Sequence, residues 1–235
     1  MYTYKSRVRF SECNKDLKLS TSGLVNYFQD TSTFHSEDIE VGIDFLKNIG
    51  CAWVLSYWYI EIKRMPLLGE EIELVTWPYG FKGVAGLRNF LMKSAEGEVL
   101  ACADTQWAYI DLERQRLKKV DDYQLDLYKL SPRYDMPETT RRIQVPESSV
   151  AHEKFLITKD HLDLYNHVNN EKYIHLAAMY LPDDYEIGSI RVEYKQQAVL
   201  GDWIYPEISE TDGLYTVVLN DDMGKVYAVV EFNMK

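Results

Sequence analysis

Val192-Glu193-Tyr194-Lys195 is followed, four residues on, by Leu200-Gly201-Asp202, and Ile60-Glu61-Ile62-Lys63 is followed at the same interval by Leu68-Gly69-Glu70. A second pair of turns matches too. Gly97-Glu98-Val99-Leu100-Ala101 has its counterpart in Gly224-Lys225-Val226-Tyr227-Ala228. Two strand-and-turn signals recurring in the same order argue for a duplicated domain.

The flanking sequence fits that reading. Residues 3–10 alternate polar and apolar and predict a strand. Ser20, Thr21 and Ser22 offer N-caps to a helix whose apolar face holds Leu24, Val25 and Phe28. A short helix is expected over 44–48, with Gly50 as its stop. Residues 51–65, 71–77, 85–93 and 99–110 predict strands, with Gly80 and Gly83 loosening one connection. In the second copy, residues 153–158 predict a strand. Tyr173, Leu176, Ala177 and Tyr180 then lie at helical spacing, Ile174, Ala178 and Leu181 fill a second stripe, and Pro182 ends the pattern. Strands are expected over 189–197, 203–209, 215–219 and 225–233. A helix followed by antiparallel strands in each copy is an α+β arrangement. Between the copies, Pro132, Pro137 and Pro146 enclose Arg133, Thr139, Thr140, Arg141 and Arg142. A linker is expected at 131–148, between an N-terminal domain (1–130) and a C-terminal domain (149–235).

The chain of 235 residues carries 26 basic and 37 acidic side chains, a formal charge of -11, which opposes general nucleic-acid binding. No apolar run is long enough to span a membrane, and residues 1–10 lack the apolar stretch of a signal peptide. Cys13, Cys51 and Cys102 are far apart and read as structural thiols, which fits a reducing, cytoplasmic setting. With no Gly-rich phosphate loop and no metal-ligand cluster, neither cofactor nor metal is expected.

Potential chemistry gathers at Asp163-Leu164-Tyr165-Asn166-His167-Val168-Asn169-Asn170, directly before the second predicted helix. A helix N-terminus exposes unpaired N–H groups that can hold an oxygen as charge develops on it. His167 can transfer a proton near neutral pH. Asp163 can orient that imidazole or activate a water. Asn166, Asn169 and Asn170 can fix a substrate or cap the helix. These parts suit hydrolysis of an activated acyl group. The plainer reading is a polar turn with an N-cap and a structural histidine. The first copy has Asp16-Leu17-Lys18-Leu19-Ser20-Thr21-Ser22 at the comparable place, with caps but without the His and the paired Asn.

With Lys172-Tyr173-Ile174 after it, His167-Val168-Asn169-Asn170 resembles the signature of the acyl-acyl carrier protein (acyl-ACP) thioesterases. Thr76-Trp77, the segment from Gly97 to Trp107, and Val192-Glu193-Tyr194 extend the resemblance over essentially the whole chain. It implies two hotdog domains, each an antiparallel sheet wrapped around a long helix. It also implies hydrolysis of the thioester of a fatty acyl-ACP, with catalysis in the second domain and the acyl pocket in the first. Asp163 and His167 match the family's catalytic Asp and His. Tyr165 stands where the family has Asn, beside Asn166. Gln197 and Ala198 stand where the plant enzymes have Glu and Cys. On that basis Asp163 activates water, directly or through His167, or attacks as a nucleophile, and Gln197 orients the water. Leu24, Phe28, Trp53 and Trp107 are candidate walls of the acyl slot. The carrier is acidic, so docking is expected at Arg114, Arg116, Lys118 and Lys119, or at Arg133, Arg141 and Arg142. The two domains are expected to pair within one chain or to assemble further as a homodimer. An acyl-CoA thioesterase or hydratase of the same fold, or a weakly catalytic acyl-binding protein, are the alternatives.

Overall fold

The computed structural model describes residues 1–235 and divides into two units, Met1–Ser56 with Ile60–Pro137, and Tyr57–Tyr59 with Glu138–Lys235. In the first, β1 (Tyr2–Arg7) leads through a 3-10 turn into α1 (Thr21–Asp38), then α2 (Ile43–Asn48), β2 (Cys51–Ile62), β3 (Glu71–Lys82), β4 (Ala85–Ser94), β5 (Val99–Asp111), β6 (Arg116–Leu117) and α3 (Asp122–Leu127). The strand order is β1-β3-β4-β5-β2, with β6 on β5. Ser20 caps α1 by accepting from the Gly23 N–H at 3.0 Å. The helix lies against β1 and β3. Leu24, Val25 and Phe28 are fully buried there, and Phe28 meets Phe90 of β4 at 5.3 Å between ring centres. β4 is buried along almost its whole length, as a strand covered on both faces must be.

β3 runs five residues further than predicted, through Pro78 and Gly80. β1 pairs only as far as Thr76, so the missing N–H of Pro78 breaks no ladder bond on that side, and the register against β4 shifts between Pro78 and Gly80. Gly80 therefore lies inside a strand, not in a connection. Gly83, with φ of 64°, makes the turn.

The second unit contains β7 (Val150–Ala151), β8 (Phe155–Leu156), α4 (Asn170–Ala178), β9 (Ile187–Tyr194), β10 (Trp203–Thr211), β11 (Leu214–Asn220) and β12 (Val226–Met234). Its sheet runs β9-β12-β11-β10-β7, with β8 also on β10. α4 lies against β11 and β12. Two predicted elements come out shorter. Of the strand expected at 153–158 only β8 forms, with β7 before it and His152, Glu153 and Lys154 between the two; Lys154 turns its amine over the Trp203 ring at 4.5 Å. The apolar pattern of α4 runs to Leu181, but the helix stops at Ala178 and closes in tight turns from Tyr180 to Ala177 and Leu181 to Ala178. Pro182 disfavours helical backbone before it, and Asp183 and Asp184 oppose the negative end of the helix. No helix or strand is assigned between Leu127 and Val150. No helix is long and apolar enough to cross a membrane.

Candidate active site

Residues 163–170 form a closed polar turn. The Asp163 carboxylate accepts two main-chain N–H groups through Oδ1, from Tyr165 at 2.8 Å and His167 at 3.1 Å. The Asp163 N–H returns a bond to the His167 carbonyl at 2.8 Å, and the Asn166 N–H bonds the Asp163 carbonyl at 3.1 Å. Asn166 has φ of 62°, a left-handed position that Asn tolerates better than most residues. Asp163 thus holds His167 through the main chain, and Asn166 is an exposed turn residue. Tyr165 is exposed as well.

The turn is then tied down and led into α4. His167 bridges to Val199, and the Val168 N–H bonds the Ala198 carbonyl at 2.9 Å. Ala198 is buried, and its N–H donates to the Tyr173 hydroxyl at 2.8 Å. Gln197, between two anchored residues, is exposed. Asn169 caps α4, its Oδ1 accepting from the Glu171 N–H at 3.0 Å. The Lys172 N–H bonds the Asn169 carbonyl, which leaves the Asn170 N–H as the open donor of this terminus. The Tyr194 hydroxyl donates to the Asn170 carbonyl at 2.8 Å. His167 is half-buried at this entrance.

The first unit builds the same turn from other residues. Asn14 Oδ1 accepts from the Asp16 N–H at 3.0 Å and the Lys18 N–H at 3.1 Å, Leu17 has φ of 58°, and Ser20 caps the helix. The counterpart of Asp163 is therefore Asn14, two residues before the stretch that sequence comparison picked out. Lys18 holds the place of His167, and Ser22 that of Glu171.

The other candidates fall as follows. Leu24 and Phe28 are buried in the first unit. Trp53, half-buried there, packs on Tyr109 at 4.8 Å and over Gly86, where even a methyl group would meet its ring at 3.0 Å. Trp107 donates to Thr105. Arg114, Arg116 and Lys119 are exposed, and Lys118 pairs with Asp121 at 3.2 Å. Arg133 reaches Asp104 at 3.2 Å in the first unit. In the second unit Arg142 is exposed and Arg141 half-buried. Sequence reasoning passed over Glu171, buried on the underside of α4. Its signal was an acid three residues before Ile174, on an apolar stripe.

The model of the acyl-ACP thioesterase N-terminal domain matches residues 1–130, and that of the C-terminal domain matches 146–232. An oleoyl-acyl carrier protein thioesterase of Coriandrum sativum is 23% identical over 242 residues, covering 92% of this chain and 66% of its own length. One from Arabidopsis thaliana is 25% identical, covering 83% of this chain and 60% of its own. The chain thus spans about two thirds or less of these curated relatives. An acyl-ACP thioesterase structure from Bacteroides thetaiotaomicron superposes with a TM-score of 0.90 at 20% identity, over 99% of this chain and 97% of that one. The 12:0-ACP thioesterase of Umbellularia californica gives 0.86 at 17%, over 100% and 96%. Fold and turn geometry together define a tandem α+β protein of two hotdog domains. Both halves match one family in order, and the chain belongs to the acyl-ACP thioesterases.

Proposed function

We propose that this protein hydrolyses the thioester of a fatty acyl-ACP, releasing the fatty acid and the free thiol of the carrier, in the cytoplasm. The observation that carries the reading is the half-buried His167, fixed by its own main chain at the mouth of α4 beside the open Asn170 N–H. His167 serves as the proton-transferring group, and the N-terminus of α4 receives the carbonyl oxygen as it gains negative charge. Asp163 and Asn166 shape the turn, Asn169 caps the helix, and Tyr165 and Gln197 face solvent around the site, where Gln197 can orient a water. Leu24, Phe28, Trp53 and Trp107 contribute apolar wall in the first domain. Arg114, Arg116, Lys118, Lys119, Arg141 and Arg142 offer cationic surface to the acidic carrier. Family membership and the agreement of both domain models support this substrate over acyl-CoA.

The test is thiol release from a panel of acyl-ACP and acyl-CoA substrates by the wild type and by His167→Ala. Turnover of acyl-ACP should exceed that of acyl-CoA and fall at least ~100-fold in the variant, the lower end for acid–base catalysis. Near-normal rates in His167→Ala would remove His167 from the mechanism, and silence of the wild type on every substrate would refute the reaction.

A further inference from the structure

The two copies of the turn separate scaffold from function. Asn14 and Asp163 perform the same main-chain task, as do Ser20 and Asn169. Among the side chains in which the second copy departs are His167 in place of Lys18 and Glu171 in place of Ser22.

Glu171 is only 1% exposed. It lies one turn before Ile174, itself fully buried, on a helix packed against β11 and β12. One carboxylate oxygen lies 3.3 Å from the Lys172 amine, while Oε1 is buried without a hydrogen-bond partner. Burying a charged oxygen without a partner is costly, and native proteins rarely keep one without a use. Its near neighbour is Tyr194. Burial holds that phenol well above its ordinary value, with Tyr173 and the Glu171 charge adding to the effect.

Asp163, Asp202 and Glu193 nearby each have one oxygen hydrogen-bonded, whereas Glu171 has none. Asp163 Oδ1 holds the loop. Asp202 Oδ2 accepts from the Val199 N–H and the Tyr227 hydroxyl. Glu193 Oε2 accepts from the Ile143 N–H and faces Lys195 at 3.4 Å.

We propose that Glu171 is the general base of the thioester hydrolysis, binding the attacking water through its free Oε1. This rests on the reaction assigned above. Oε1 removes a proton from the water as its oxygen bonds to the thioester carbon. The carbonyl π electrons move onto oxygen at the N-terminus of α4. The negative charge passes from the carboxylate to that oxygen, so the helix end never faces two anions at once. When the intermediate collapses, the C–S bond breaks, His167 relays the proton held by Glu171 to the departing sulfur, and a carboxylic acid and a thiol result. The base is regenerated.

The experiment compares kcat and KM of the wild type, Glu171→Gln and Glu171→Ser on acyl-ACP, with thermal unfolding to confirm that each variant is folded. Glu171→Gln should lose ~100-fold or more in kcat, with KM changed by less than about threefold. Glu171→Ser, which installs the first unit's residue, should be equally slow and regain rate with added formate, a small carboxylate that fits the vacated space. Formate should do nothing for Glu171→Gln, where the space is filled. A folded Glu171→Gln with kcat within about threefold of wild type overturns the proposal and leaves the thioesterase reading intact. If Glu171→Gln does not fold, a formate-insensitive Glu171→Ser overturns it instead. A wild type that releases no thiol overturns both.

Discussion

His35 makes a sharp prediction about acid stability. It lies on α1, 8% exposed, stacked on Tyr2 and edge-on to Tyr128. Arg88 Nη1 approaches its Nδ1 at 3.0 Å. A guanidinium can only donate, so Nδ1 must be the unprotonated acceptor. Protonating the ring would break this bond and set two buried cations in contact. Burial first, then the Arg88 charge and the chain N-terminus, push the imidazole down to about 3. In the unfolded chain it titrates near its ordinary value of about 6.5. Below that value the unfolded state binds a proton that the folded state refuses, so stability falls with falling pH at about 1.4 kcal/mol per unit. Between pH 7 and pH 5 the loss from this one group is about 2 kcal/mol.

The check is urea unfolding of the wild type and His35→Gln at pH 7, 6 and 5. The Gln carbonyl can still accept from Arg88 and does not titrate. The window avoids most of the loss from Glu12 and Glu70. Glu70 is held low by Arg64, and Glu12 by its bonds from Arg9, which outweigh the opposing effect of burial; both lose their contribution as pH falls through lower values. Asp30 and Glu231, held above the ordinary range by burial, act in the opposite direction, so the readout is the difference between the two proteins. That difference should move by about 2 kcal/mol against the wild type on acidification, at equal m-values. Parallel pH profiles would show that His35 is protonated in the fold and that the reasoning is wrong.

Two further outcomes are expected. Phe90→Ala, which empties a fully buried site against Phe28, should destabilise the protein by ~3–5 kcal/mol in denaturant unfolding without shifting acyl-ACP preference for carrier over CoA. Reversing the charges of Arg114, Arg116, Lys118 and Lys119 together, or of Arg141 and Arg142, should raise KM for acyl-ACP, more at low salt than at high, and leave KM for acyl-CoA unchanged; an unaltered KM for the carrier would show that neither cluster docks it.

Much of the fold could be read from the chain because its signals are local. Ser20 before Leu24 and Phe28 marks α1, and the paired Leu-Gly turns at 68–69 and 200–201 mark strand ends and reveal the repeat. What failed depended on distant partners. The extension of β3 through Pro78 is possible because β1 stops pairing at Thr76, which no window around Pro78 records. The shortening of the strand expected at 153–158 to β8 reflects where β10 offers partners. At the site, the polar density of residues 163–170 was visible from composition, but the bonding within the turn was not. An Asp four residues before a His invites a side-chain pair, whereas in the fold Asp163 Oδ1 accepts two main-chain N–H groups. Glu171 was hidden because a charge beside a paired Asn looks like part of a solvated cap.

The duplication offers a way to weigh Asp163 against Glu171 without disturbing the loop. In the first unit the neutral amide oxygen of Asn14 accepts the same two main-chain N–H groups, at 3.0 and 3.1 Å, that Asp163 accepts in the second at 2.8 and 3.1 Å. Asp163→Asn should therefore keep the turn, the left-handed Asn166 and the placing of His167, at a stability cost of about 1 kcal/mol or less, since one charged acceptor becomes neutral while no donor is orphaned. Any larger loss of turnover then reports on the charge of residue 163 and not on a collapsed loop. If Asp163 activates the water or attacks the thioester itself, Asp163→Asn should lose ~100-fold or more. If its task is the turn and Glu171 is the base, the loss should stay within about tenfold, while Glu171→Gln carries the large one. Asp163→Ala cannot make this distinction, because it orphans two N–H groups and frees the His167 main chain at the same time.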